Sequence, residues 1–127
     1  MTKRRNTTPV PPAPGDLSPE SSALWPGLAA DVAVAMGGGQ VDFLALAGVL
    51  RAADRLAEIR AVLAAEGLTV KGSKGQSRPH PLLIAESVLR REVAQGMKSL
   101  RLSAADRHRF DVGDDGRLQR DRIYNDF

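Results

Sequence analysis

The sequence predicts an all-α protein: a long antiparallel helical hairpin with an N-terminal kinked helix, a short C-terminal helix and flexible tails. Three observations carry this expectation. Val41 to Glu66 runs without a proline, and its apolar residues recur at three- and four-residue steps, the spacing of one helical face. Pro81 to about Leu100 repeats the pattern through Leu82, Ala85, Leu89, Val93, Met97 and Leu100. The punctuation agrees, with Ser18-Pro19 opening a first periodic stretch, Gly37-Gly38-Gly39 closing it and Gly67 ending the long run.

In chain order, residues 1–16 hold four prolines and no periodic apolar pattern, so they read as a disordered, basic, Pro-rich arm. The helical domain is expected over 17–110. Its first helix opens with Ser18 as N-cap, Pro19 at the first helical position and Glu20 at the positive end of the dipole. Pro26-Gly27 interrupts it while Leu24, Leu28, Val32 and Met36 stay on one face, which predicts a kinked helix or two short ones. Trp25, just before that proline, reads as a core anchor.

The long helix follows, roughly 39 Å at the standard rise, with Asp42 complementing the dipole in its first turn. Its seam reads as Val49, Leu56, Ile59 and Leu63, continued by Ala45 and Ala52. Phe43, Leu46, Leu50 and Ala57 widen the apolar surface beyond what one partner helix covers. Arg51 with Asp54 and Arg55 with Glu58 read as pairs on a solvated outer face. Gly67 to His80 is long for a helix-to-helix connection and reads as an irregular basic loop of the kind that carries function. The second long helix, about 30 Å, can lie antiparallel along the first, with Glu86 and Arg90 as an i, i+4 pair on its other side. Ser103 and Asp106 then cap a short last helix, and residues 111–127 read as a mobile charged tail with a docking segment at Ile123, Tyr124 and Phe127.

Composition narrows the function. The chain has 127 residues, no cysteine and only five aromatic side chains, so neither disulfides nor thiolate metal sites are available and the bulky core is thin. Self-association is one remedy for a thin core. No apolar run approaches the ~20 residues that cross a bilayer, and the N-terminus lacks the apolar stretch of a secretory signal, so an intracellular protein is the simplest reading. The net +3 is unevenly spread: Gly67 to His80 carries Lys71, Lys74 and Arg78 with no acid, and the arm carries Lys3, Arg4 and Arg5. A basic arm and a basic loop on a near-neutral helical body suit a polyanion, or simply serve solubility.

Three apparent motifs fail on their chemistry. Gly67 to Lys74 has the glycine spacing of a phosphate-binding loop, but serine precedes the lysine and the segment follows a helix. Asp111 to Arg122 echoes a calcium loop, yet Gly113 takes a ligand position and Arg122 stands where the bidentate glutamate belongs. His80 and His108 are isolated from other ligands and from any serine nucleophile, so His80 reads as a turn residue. No cofactor, metal or catalytic residue is expected.

The segments Arg78 to Leu83 (RPHPLL) and Leu100 to Phe110 (LRLSAADRHRF), with the order of helices, resemble the small terminase subunits of tailed double-stranded DNA phages. In one large group of these, a long helix beginning near an aspartate, here Asp42, leads to a loop and a His-Pro or Asn-Pro step, here His80-Pro81. The second long helix ends in a Gly-Leu-Thr-Pro-like turn with arginines, here Arg101 to Ala104 followed by Arg107 and Arg109. Leu17 to Trp25 is similar to the opening helix of such domains, so the resemblance spans Leu17 to Phe110. Arg101 replaces the usual glycine of the turn and Ala104 its proline.

The resemblance implies a non-enzymatic recognition subunit that forms a homo-oligomeric ring and binds viral double-stranded DNA in the host cytoplasm during virion assembly. It would engage the large terminase subunit, which holds the ATPase and nuclease activities. On this reading Lys3, Arg4, Arg5, Lys71, Lys74 and Arg78 contact phosphates, and Val49, Leu56, Ile59, Leu63, Leu89 and Val93 supply the interface between copies. Two other readings are a helix-turn-helix regulator built from Leu17 to Met36 and the next helix, and a helical adaptor that binds only protein.

Overall fold

The structure, a computed structural model, describes residues 9–110. Four helices and a two-stranded ribbon follow one another: α1 (Pro19–Met36), α2 (Gln40–Glu66), β1 (Thr69–Lys71), β2 (Ser77–Pro79), α3 (Leu82–Ser99) and α4 (Ala104–His108). Helix α3 runs back along α2, so that Gly96 meets Val49 near one end of the pair and Glu86 meets Arg60 nearer the other. This is the antiparallel hairpin that the two periodic runs predict.

Helix α1 is a single continuous helix through Pro26 rather than two short ones. Pro26 is exposed, while Trp25, Leu28, Ala29, Val32 and Ala33 form one buried face spanning both sides of the proline and holding the two halves on the core. Ser18 caps the helix, its hydroxyl accepting the Ser21 N–H at 3.1 Å, and Gly37 closes it at φ 90°.

The buried stripe of α2 is Phe43, Leu46, Ala47, Leu50, Ala53, Leu56 and Leu63. The expected seam is rotated from this, since Val49 and Ile59 are only half-buried and Ala45 is exposed. Two sets of apolar residues interleave on this helix at nearly equal spacing, and packing against both α1 and α3 selects between them. Close approach of α3 depends on Gly96, where a Cβ would stand 2.5 Å from Val49 Cγ2. The core closes with Val93, Ala94, Met97, Leu100 and Leu102, all packed in one cluster with the α1 and α2 residues.

Charged residues of α2 and α3 depart from their expected places. Asp54 is not paired with Arg51 on a solvated face; its Oδ2 accepts the Ser18 backbone N–H at 2.8 Å and its Oδ1 accepts the hydroxyls of Ser18 at 2.7 Å and Ser21 at 2.6 Å. A carboxylate on α2 thus secures the N-terminus of α1, where the dipole favours negative charge. Arg51 turns instead to Asp16, Nε–Oδ2 2.6 Å. Glu86 and Arg90 do pair, but both are buried, and Glu86 also meets Arg60 at 3.4 Å. They are not on the far side of α3: at helical spacing they fall in line with Leu83, Val93, Ala94 and Met97 and share that buried stripe, while Leu82, Ala85 and Leu89 are only half-buried.

Residues 9–16, expected as part of a disordered arm, lie against the body. Pro11 C=O accepts the Trp25 indole N–H at 2.7 Å, and Val10 and Ala13 pack on the core cluster. A buried indole N–H needs an acceptor, and a proline-rich chain supplies a carbonyl with little conformational freedom to lose.

Candidate nucleic-acid interface

The expected irregular loop is a β-hairpin. Thr69 pairs with Pro79, Val70 with Arg78 and Lys71 with Ser77. Its turn is set by two glycines: Gly75 N–H reaches Gly72 C=O at 3.0 Å, Gly72 N–H reaches Gln76 C=O at 2.7 Å, and Gly75 adopts φ 82°. A tight turn followed by a left-handed glycine is a common hairpin closure. The Gln76 side chain braces it, Oε1 accepting the Lys74 N–H at 3.1 Å. At Gly72 a Cβ would stand 2.7 Å from Arg78 Cδ, so the stem of Arg78 lies across the space a side chain would occupy.

His80 clamps the base of the hairpin. It is buried, its N–H extends the ladder to Leu68 C=O at 2.8 Å, and its Nδ1 accepts the Leu82 N–H at 3.1 Å. With Nδ1 accepting, Nε2 carries the proton and donates to Glu66 Oε1 at 2.8 Å. One side chain therefore ties the end of α2 to the start of α3, whose cap residue Pro81 supplies no side-chain hydrogen bond. His80 is a turn residue with a structural task.

The three cations of the segment are all exposed, and none forms an ion pair among the described residues. The hairpin brings Lys71, Lys74 and Arg78 onto one projecting finger. Lys3, Arg4 and Arg5 lie outside the described residues. The turn after α3 has its own basic character: Arg101 and Arg109 are exposed, and Arg107 Nη1 donates to Leu102 C=O at 3.1 Å. There Asp31 of α1 faces Asp106 of α4. Burial, then the hydrogen bond and charge of Asp106, hold the Asp31 carboxyl above its usual range, with Arg109 opposing.

Of the expected interface residues, the structure places Leu56, Leu63 and Val93 inside the subunit and leaves Val49, Ile59 and Leu89 half-buried. The exposed apolar side chains are others: Val41 and Leu44 on α2, Ile84 and Val88 on α3, Val34 on α1 and Leu68 beside the hairpin. Sequence reasoning did not single these out because the helical ones lie away from the periodic stripes that fill the core, and Leu68 lies in the link between α2 and β1. Among the described residues no group of three or more His, Asp or Glu side chains could hold a metal ion, and no helix is long and apolar enough to cross a membrane.

Fold and site together define a helical-hairpin protein that presents a cationic β-finger from the end of its hairpin. The sequence matches the phage terminase small-subunit family over residues 24–117, from within α1 to beyond α4. The chain belongs to that family. No curated protein and no solved structure matches it.

Proposed function

We propose that the chain is the non-catalytic recognition subunit of a phage DNA-packaging terminase. It assembles as a ring of identical copies, binds viral double-stranded DNA and presents it to the large subunit, which performs ATP hydrolysis and DNA cleavage. The observation that carries the reading is the finger bearing Lys71, Lys74 and Arg78 on a frame of this family. Repetition around a ring multiplies weak phosphate contacts.

The exposed surface supports a ring. Closed rings use heterologous interfaces, in which one patch meets a different patch on the next copy. Val41 and Leu44 lie toward the start of α2, and Ile84 and Val88 toward the start of the antiparallel α3, roughly 25 Å apart along the hairpin at the standard rise. We place the interface on these two patches, rimmed by Val49, Ile59 and Leu89.

Size-exclusion chromatography with light scattering tests the assembly: a closed oligomer larger than a dimer is expected. A dimer would favour a helix-turn-helix regulator and a monomer an adaptor. For DNA, anisotropy titrations of a short duplex across a salt series should show that replacing Lys71, Lys74 and Arg78 together by alanine lowers the salt slope by about 2 to 3. Unchanged affinity at low salt would remove the finger from the contact surface.

A further inference from the structure

Side chains alternate between the two faces of a ribbon, and directly paired residues share a face. Val70 and Arg78 therefore share one face of the hairpin, and Lys71 and Ser77 the other. Lys74 stands at the tip beside Ser73, in the turn closed by Gly72 and Gly75. The cations are thus divided among two faces and an apex. The finger is also rigid at both ends, braced at the tip by Gln76 and clamped at the root by His80. A preorganised element loses little freedom on binding.

The major groove of B-DNA, about 12 Å wide, admits a two-stranded ribbon, whereas the minor groove is about 6 Å wide. A ribbon entering tip first has a sugar-phosphate wall on each side and base edges ahead of it. We propose that the hairpin enters the major groove, with Lys71 and Arg78 on its opposite faces each meeting the phosphates of a different strand, and Ser73 and Lys74 at the tip reaching base edges. The proposal rests on the DNA-binding reading and gives each residue its own role. Lys71 and Arg78 position the protein, and Lys74 discriminates sequence, an ammonium at that depth favouring the O6 and N7 acceptors of guanine.

The test uses the full-length chain, with duplexes enriched from a random pool by binding to it and unselected duplexes for comparison. Lys71→Ala and Arg78→Ala are each expected to lower the salt slope by about 1 on both kinds of duplex and to leave the preference between them intact. Neutral methylphosphonates in one strand of the bound site should abolish the effect of one substitution, and those in the other strand the effect of the other. Lys74→Ala should reduce the preference for selected duplexes roughly tenfold. DNA whose major groove is filled by glucosylated cytosines should bind weakly, and netropsin in the minor groove should compete poorly.

Binding that survives glucosylation but yields to netropsin overturns the proposal while sparing DNA binding itself. So does silencing of Lys71→Ala and Arg78→Ala by the same strand, or a pool that enriches no sequence. Failure of the unaltered chain to bind any duplex at low salt overturns the DNA-binding reading and this one with it.

Discussion

Arg101 is the one non-glycine residue at positive φ among those described, at 59°. It sits immediately after α3 in a turn whose hydrogen bonds fix that conformation: Arg101 N–H to Lys98 C=O at 2.9 Å and Leu102 N–H to Met97 C=O at 3.0 Å. Met97 and Leu102 are both buried, which supplies the hydrophobic contact of a Schellman closure. The left-handed region costs an L-residue about 1 to 2 kcal/mol, and glycine avoids this while losing about 0.5 to 1 kcal/mol more backbone entropy on folding. Arg101→Gly should therefore stabilise the protein by roughly 0.5 to 1 kcal/mol. For a domain of this size that raises Tm by roughly 2 to 8 °C. Thermal unfolding followed by far-ultraviolet circular dichroism, at one fixed protein concentration, measures it. Arg101→Ala removes the same charge and keeps the backbone cost, so it should show no gain. If the glycine variant is no more stable than the alanine variant, the assignment of strain to this residue is wrong.

Three other substitutions probe the packing and the titrating groups. Gly96→Ala brings a methyl group onto Val49 and should destabilise by about 1 to 3 kcal/mol in denaturant unfolding, with part of the loss recovered by adding Val49→Ala. Burial pushes the Asp54 carboxyl up, but the hydrogen bonds from Ser21 and Ser18 outweigh it and hold the group below its ordinary value. Its contribution is therefore present above the unfolded carboxyl range and lost as pH falls through the folded value. Asp54→Ala should cost about 1 to 3 kcal/mol at neutral pH and flatten the acid limb of a stability-versus-pH curve. Asp31 has the opposite sign: its raised value means that protonation favours the fold, so its ionised form opposes folding at neutral pH. Asp31→Asn should raise Tm at pH 7, with the gain shrinking as the buffer is acidified into the carboxyl range.

Local rules made much of the helical frame legible. The start of α1 at Ser18-Pro19, its end at Gly37 and the extent of α2 to Gly67 all follow from residues whose conformational demands are met within a turn. Three places show where such rules run out. The strands of the hairpin have three residues each, too short for an alternating pattern to show, and only their pairing across the glycine turn creates them. Charged residues at helical spacing, such as Arg51 with Asp54, look like neighbours in one dimension; Asp54 instead answers the unsatisfied N–H groups of another helix. Val49 and Leu50 both belong to plausible apolar stripes of α2, and burial falls more fully on Leu50.

The sequence by itself determined that the chain is helical, where the long helices begin and end, and that positive charge gathers between Gly67 and His80. Those properties arise from neighbours along the chain, whose backbone preferences and charges act whatever the rest of the molecule does. Only the tertiary structure decided which face of α2 is spent on the core and which apolar residues stay outside. It also decided that the Pro11 carbonyl receives the Trp25 indole N–H and that Lys71 and Arg78 point to opposite sides of one finger. Those outcomes depend on partners far away in sequence, because a face is buried, or a strand paired, only when another segment arrives to do it.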